Sequence, residues 1–350
     1  MHPYQRRATI FRIGARGRFS PRRFAIPPVG MSTLRSASPL RPVALCCAAA
    51  CLAIVGGIGR GEVTGFHVGN SLTWSAVSPG LPTVIEALGG QLSVGYHIRC
   101  GSPLENIVAD PSVFCVPTVA PYGNWHNALT QHEWDYVTFQ THAGMVTSEI
   151  QAAIDLVATA TAGGRNSHTR FFVYSAWPTR SDTQTYREAR TQPLTSIAFN
   201  TDAYLGKLYS DVRVAHPTVD FGYVPVGEVL LRLDDVLRQS PLPGFTSAWD
   251  LYGDSLHLNA AGRYVAHATL AAALTSTEPQ DLVFSSALTA PLSPTFVAVA
   301  NESITALIDA DPRVNAMFVP EPAYPAWIFS AVVIWLPFGQ FAKRVLLGGK

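Results

Sequence analysis

The chain has 350 residues, of which 48% are hydrophobic and 14% charged, and its formal net charge is +1. That length fits one sizeable α/β domain with extensions, or two small domains. The near-zero total hides an asymmetry: residues 1–41 hold nine arginines and no acid, whereas residues 62–319 hold twelve basic against twenty-three acidic side chains, a balance of −11. An acidic body argues against non-specific nucleic-acid binding, so no nucleic-acid partner is expected.

The arginine-rich start runs into an uncharged apolar stretch from Pro42 to Gly59. A basic lead before such a run reads as a secretory signal peptide, so residues 1–61 are expected to be leader. Met31 is an alternative start that leaves Arg35 and Arg41 as a short basic region. The pairs Arg6-Arg7 and Arg22-Arg23 hint at twin-arginine export. The competing reading is an uncleaved membrane anchor. Three of the five cysteines, Cys46, Cys47 and Cys51, fall in this segment.

The body is expected over 62–275. Its first strand-like run ends in Gly65-Phe66-His67-Val68-Gly69-Asn70-Ser71-Leu72-Thr73. A glycine and an asparagine allow a sharp turn, and a serine follows where a helix would begin. A hydroxyl there is exposed, with helix N–H groups beside it. By itself such a turn is ordinary. A short helix is expected over 81–88, ended by Gly89-Gly90. Leu92 to Cys100 alternates as a strand. Trp134 to Gln140 is the next strand, followed by a helix over 148–162 and a strand from Arg170 that leaves at Pro178. Residues 193–214 read as largely helical, 219–226 as the last core strand, 227–239 as an amphipathic helix and 260–274 as an alanine-rich helix. Strands alternating with helices imply a parallel sheet covered on both faces.

Before that last helix stands Asp250-Leu251-Tyr252-Gly253-Asp254-Ser255-Leu256-His257. Asp254 and His257, three residues apart in a loop, are within reach of each other. The carboxylate would fix the imidazole tautomer while the other ring nitrogen takes a proton from Ser71.

Gly69-Asn70-Ser71-Leu72-Thr73 and Asp254-Ser255-Leu256-His257 together resemble the first and last sequence blocks of the SGNH (GDSL-like) hydrolase superfamily, in its secreted bacterial form. Asn70 stands where the name-giving motif has Asp. The resemblance covers roughly 62–275. It implies a flavodoxin-like three-layer α/β/α fold with a central parallel sheet, and a serine esterase with Ser71, Asp254 and His257 as its catalytic triad. It also implies an oxyanion hole built from the backbone N–H groups of Ser71 and Gly101. The third block of the family carries an Asn; here Gln140 offers the same amide on a longer stem. His142, just beyond it, is a candidate for substrate contact. Trp177, on the loop after the fourth strand with Arg180, either stacks on a sugar ring or caps the core. No cofactor is implied and no metal-ligand spacing occurs outside the leader. In an oxidising compartment Cys100 and Cys115 either pair or remain free buried thiols.

Residues 276–319, rich in Ser, Thr, Pro and Ala, are expected to be a linker or loosely attached extension. At Pro320-Glu321-Pro322 the character changes, and Pro322 to Ala342 is uncharged and long enough to span a bilayer before Lys343-Arg344. This order resembles the Pro-Glu-Pro (PEP-CTERM) sorting signal that an exosortase processes. Pro337 within the span and the tail from Val345 to Lys350 depart from it; a plain anchor is the alternative. The expected partners are therefore an ester substrate, an acetylated glycan being one form, together with signal peptidase, an exosortase-type enzyme and the membrane. The expected location is the cell surface or beyond. The competing function is a non-catalytic carbohydrate-binding or structural surface protein on the same fold.

Overall fold

The computed structural model describes residues 62–315, apart from 89, 143, 192 and 195–200. The expected leader and the expected sorting segment at 320–350 lie outside these residues. Five strands form one all-parallel sheet: β1 (Val63–Gly69), β2 (Leu92–Ile98), β3 (Tyr136–Gln140), β4 (Arg170–Tyr174) and β5 (Asp220–Val224), in the order β2-β1-β3-β4-β5. β1 is interior, pairing Val63 to Gly69 with Leu92 to Ile98 on one side and Gly65 to Val68 with Tyr136 to Phe139 on the other. A strand covered on both faces should be apolar throughout, and Phe66 through Asn70 are all buried. Gly65 is required by packing, because a Cβ there would lie 2.1 Å from the Tyr136 ring.

The helices are α1 (Ser71–Val77), α2 (Gly80–Ala87), α3 (Leu104–Ala109), α4 (Trp125–Gln131), α5 (Val146–Thr161), α6 (Thr183–Arg190), α7 (Asp202–Ala215), α8 (Val226–Gln239), α9 (Ala260–Thr275), α10 (Ser286–Thr289), α11 (Pro294–Ala310) and α12 (Pro312–Asn315). α1, α2, α8, α9 and α11 pack together, and α3, α4, α5 and α7 form the other group. The architecture is three-layer α/β/α with a parallel central sheet. Because all five strands run parallel, every strand's carboxyl end lies on one edge, where ligands of open α/β sheets bind.

Two expectations change. The helix read over 193–214 begins at Asp202, where Thr201 caps it by accepting the Tyr204 N–H at 3.2 Å. Residues 276–315 are not a loose extension. α11 inserts Phe296, Ala300, Ile304 and Ile308, all buried, against α8 and α9. Their four-residue spacing makes one helical stripe, and each large apolar side chain so buried contributes roughly 1.5–3 kcal/mol. Among the described residues no helix is long and apolar enough to cross a membrane.

Candidate active site

β1 delivers Ser71 to the carboxyl edge. Gly69 has no room for a side chain: a Cβ would sit 1.9 Å from the Thr73 hydroxyl. Asn70 is the N-cap of α1, its Oδ1 accepting the Leu72 N–H at 2.9 Å. Its Nδ2 donates to the Ser102 carbonyl at 3.3 Å, tying the turn to the loop after β2. Ser71 is the first residue of α1 and is half-buried.

The loop from Tyr252 to Leu258 closes as a small antiparallel bridge, with the Gly253 N–H donating to the His257 carbonyl at 2.9 Å. Within it Asp254 Oδ2 lies 2.8 Å from His257 Nδ1, and His257 Nε2 lies 3.1 Å from Ser71 Oγ. A carboxylate only accepts, so the proton sits on Nδ1 and Nε2 is free to accept from the serine. Asp254 Oδ1 accepts the His257 and Leu256 N–H groups at 2.6 and 2.7 Å. Those two N–H groups, then the imidazole, hold its carboxyl well below the usual range, at about 2. The acid is therefore ionised at neutral pH. A hydroxyl, an imidazole and an ionised carboxylate in line are able to deprotonate the hydroxyl as it attacks an electrophile.

The loop is braced from the strand β4 side. Trp177 Nε1 donates to the Leu256 carbonyl at 2.9 Å, the Arg180 N–H to the Ser255 carbonyl at 2.7 Å, and Tyr252 Oη to the Pro178 carbonyl at 2.8 Å. Trp177 is only 3% exposed. It offers no open face to a sugar ring, so of its two sequence readings the structure takes the core cap, and the substrate-contact role does not fit. Asp250 is committed elsewhere, accepting the Thr246 and Ser247 N–H groups at 2.7 and 3.2 Å.

Gly101 lies in the turn after β2 with φ of +65°, a left-handed conformation that suits glycine, and it is exposed. Cys100 and Cys115 beside it form a disulfide. His142 lies in the loop after β3, at the same edge, with its ring half-buried and its pKa lowered by that burial.

Gln140 departs from the expectation. It is 1% exposed, and its Oε1 accepts from the Thr73 N–H at 3.0 Å, the Thr73 hydroxyl at 2.8 Å and Tyr174 Oη at 3.1 Å. The backbone donor fixes which end of the amide faces Thr73. Nε2 is enclosed, out of reach of solvent and without a hydrogen-bond partner. The amide thus anchors the third residue of α1 instead of presenting an N–H to an oxyanion.

Glu149, in the first turn of α5, is a residue that sequence reasoning missed. It is fully buried, and its carboxyl oxygen Oε1 accepts the N–H groups of Leu104 at 3.3 Å and His142 at 3.4 Å, with the Gly144 N–H also donating to the carboxyl group. One side chain therefore joins the loops after β2 and β3, the two neighbours of β1. A Cβ on Gly144 would lie 2.5 Å from that carboxylate. In the sequence an acid in a helix's first turn reads only as a partner of the helix dipole. Among the described residues no three His, Cys, Asp or Glu side chains gather as a metal-binding group.

No family model matches the chain, and no curated protein matches it. Among solved structures it is similar to a DUF4886 family protein from Bacteroides uniformis, with a TM-score of 0.51 and 18% identity over 73% of this chain and 99% of that one. That likeness concerns the fold. A second similarity is to a candidate SGNH hydrolase from Slackia heliotrinireducens, with a TM-score of 0.35 and 19% identity over 60% of this chain and 97% of that one.

Proposed function

We propose that this chain is a serine esterase of the SGNH type. The observation that carries the reading is the line Ser71 Oγ–His257 Nε2 at 3.1 Å and His257 Nδ1–Asp254 Oδ2 at 2.8 Å, at the carboxyl edge of a parallel sheet. Ser71 attacks an ester carbonyl, and His257 takes its proton and returns it to the leaving alcohol. Asp254 holds the tautomer and stabilises the imidazolium. The N–H groups of Ser71 and Gly101 serve the oxyanion; Leu72 and Thr73 have theirs committed to Asn70 and Gln140.

The test is hydrolysis of p-nitrophenyl acetate by the purified body. Turnover is expected, with loss to background in Ser71→Ala and an unchanged melting temperature. Unaltered turnover in the variant would assign the chemistry to another nucleophile. A second reading, a surface carbohydrate-binding protein without catalysis, is favoured by the enclosed Gln140 Nε2, which removes one expected oxyanion donor. It requires that the wild-type protein hydrolyse no ester. Export and cell-surface sorting complete the proposal; mass spectrometry of native protein is expected to find a C-terminus near Pro320-Glu321-Pro322, and an intact Lys350 would replace sorting by anchoring.

A further inference from the structure

The Gly101 N–H, one of the two backbone donors assigned to the oxyanion, belongs to a turn that little packs against. Gly101 is exposed, and among the described residues, beyond its neighbours in the chain, no atom lies within 4 Å of where a Cβ would stand. We infer that Asn70 is the positioning residue for this donor, its side-chain N–H fastening the exit of the Gly101 turn to the nucleophile's own turn; this rests on the esterase reading and adds to it a residue that acts through another.

The turn runs Arg99-Cys100-Gly101-Ser102 and is closed by the Ser102 N–H on the Arg99 carbonyl at 3.3 Å. The Gly101 N–H sits in its central peptide, the group whose direction distinguishes one turn type from another. Gly101 holds a φ of +65°, and a glycine passes between positive and negative φ at little cost. The direction of that N–H is therefore kept by what holds the two ends of the turn. At the entry, the Arg99 N–H donates to the Gly69 carbonyl at 2.9 Å, continuing the β1–β2 ladder. The Cys100–Cys115 disulfide holds the entry side as well. At the exit, Asn70 Nδ2 donates to the Ser102 carbonyl at 3.3 Å, and Glu149 accepts the Leu104 N–H two residues on.

Asn70 suits this task in a way that the Asp of the name-giving motif does not. It is 2% exposed, and its Oδ1 caps α1 by accepting the Leu72 N–H at 2.9 Å, which fixes the amide with Nδ2 toward Ser102. A carboxylate caps a helix equally well, but it would bring a second acceptor to the Ser102 carbonyl and push the turn away. One amide thus sets the two oxyanion donors relative to each other, because its own residue precedes Ser71 and its Nδ2 holds the Gly101 turn. A displacement of about 1 Å at such a donor is enough to cost about 10²-fold in rate.

The experiment compares wild type, Asn70→Asp and Asn70→Ser in p-nitrophenyl acetate hydrolysis. Both variants keep a helix-capping oxygen and lose the N–H on Ser102. Each is expected to lower kcat about 10²-fold with KM within about twofold and an unchanged melting temperature, since the oxyanion forms only after the ester is bound. Hydrogen exchange over residues 99–104, followed by mass spectrometry, reports the tie without catalysis and is expected to be faster in both variants. Wild-type kcat in either variant, a loss confined to KM, a fall in kcat that follows a fall in melting temperature in both, or unaltered exchange would each overturn the role of Asn70, while turnover by the wild type still upholds the esterase reading. Absence of turnover in the wild type would sink that reading, and with it any oxyanion for the turn to serve.

Discussion

Asp254 does two jobs with two oxygens, and that division decides what its amide would do. Oδ1 accepts the Leu256 and His257 N–H groups, and Oδ2 accepts the imidazole Nδ1–H. In Asp254→Asn the amide oxygen is kept by the two backbone donors, so the NH₂ turns to Nδ1. That selects the tautomer with its proton on Nε2, pointing at Ser71. The loss expected is about 10⁴-fold in kcat, the size found in the serine-protease template. Ester assays with folding checked by circular dichroism measure it; near-wild-type activity would remove Asp254 from the reaction. Gln140 calls for a different readout. Its Oε1 satisfies three buried donors, so Gln140→Ala is expected to cost about 1–3 kcal/mol of stability together with activity, because the first turn of α1 loosens. A kcat fall of about 10²-fold at unchanged stability would instead mark an oxyanion donor.

Among the elements, α11 makes the strongest test of where the body ends. Ile304 is 0% exposed, and Ile304→Ala is expected to destabilise the protein by about 2–5 kcal/mol, read from urea unfolding. A change under about 0.5 kcal/mol would return 276–315 to a loose extension. That helix shows why composition misled. Phe296, Ala300, Ile304 and Ile308 recur at helical spacing, but the surrounding Ser, Thr and Pro signal a linker more loudly than four residues signal a stripe. β1, β3 and β4 were legible because buried parallel strands are short apolar runs between turn residues. The approach of Ser71 to the Asp254–His257 pair was expected from the two sequence blocks that carry the resemblance, and the fold brings the three side chains to 3.1 and 2.8 Å of one another. The direction of Gln140 was not, since it is set by Thr73 and Tyr174, 67 and 34 residues away. The burial of Trp177 was equally hidden: its partner is the Leu256 carbonyl, 79 residues on.

At the scale of the whole molecule, buried titratable groups make stability depend on pH in opposite directions. Burial lowers His67 and His267 from 6.5 to about 3. Between those values the unfolded chain binds protons that the folded one refuses, so both histidines add stability as pH rises from 3 to 6.5. Glu149 acts the other way. Burial, reinforced by the neighbouring Glu105, raises its carboxyl from 4.5 to about 8, against the N–H groups of His142, Leu104 and Gly144 that favour the ionised form. Between 4.5 and 8 the folded protein holds a proton that the unfolded chain has released. Its contribution is therefore complete below about pH 4.5 and is lost as pH climbs through 8, at no more than about 1.4 kcal/mol per pH unit. Glu149→Gln keeps an oxygen for the loop N–H groups and removes the titration. Urea unfolding at intervals from pH 4 to 9 is expected to show the variant gaining on wild type between 4.5 and 8, with a constant difference outside that window. A difference that stays flat across the whole range would mean that Glu149 ionises as an ordinary glutamate, and that the loops after β2 and β3 are joined through a charge that burial does not penalise.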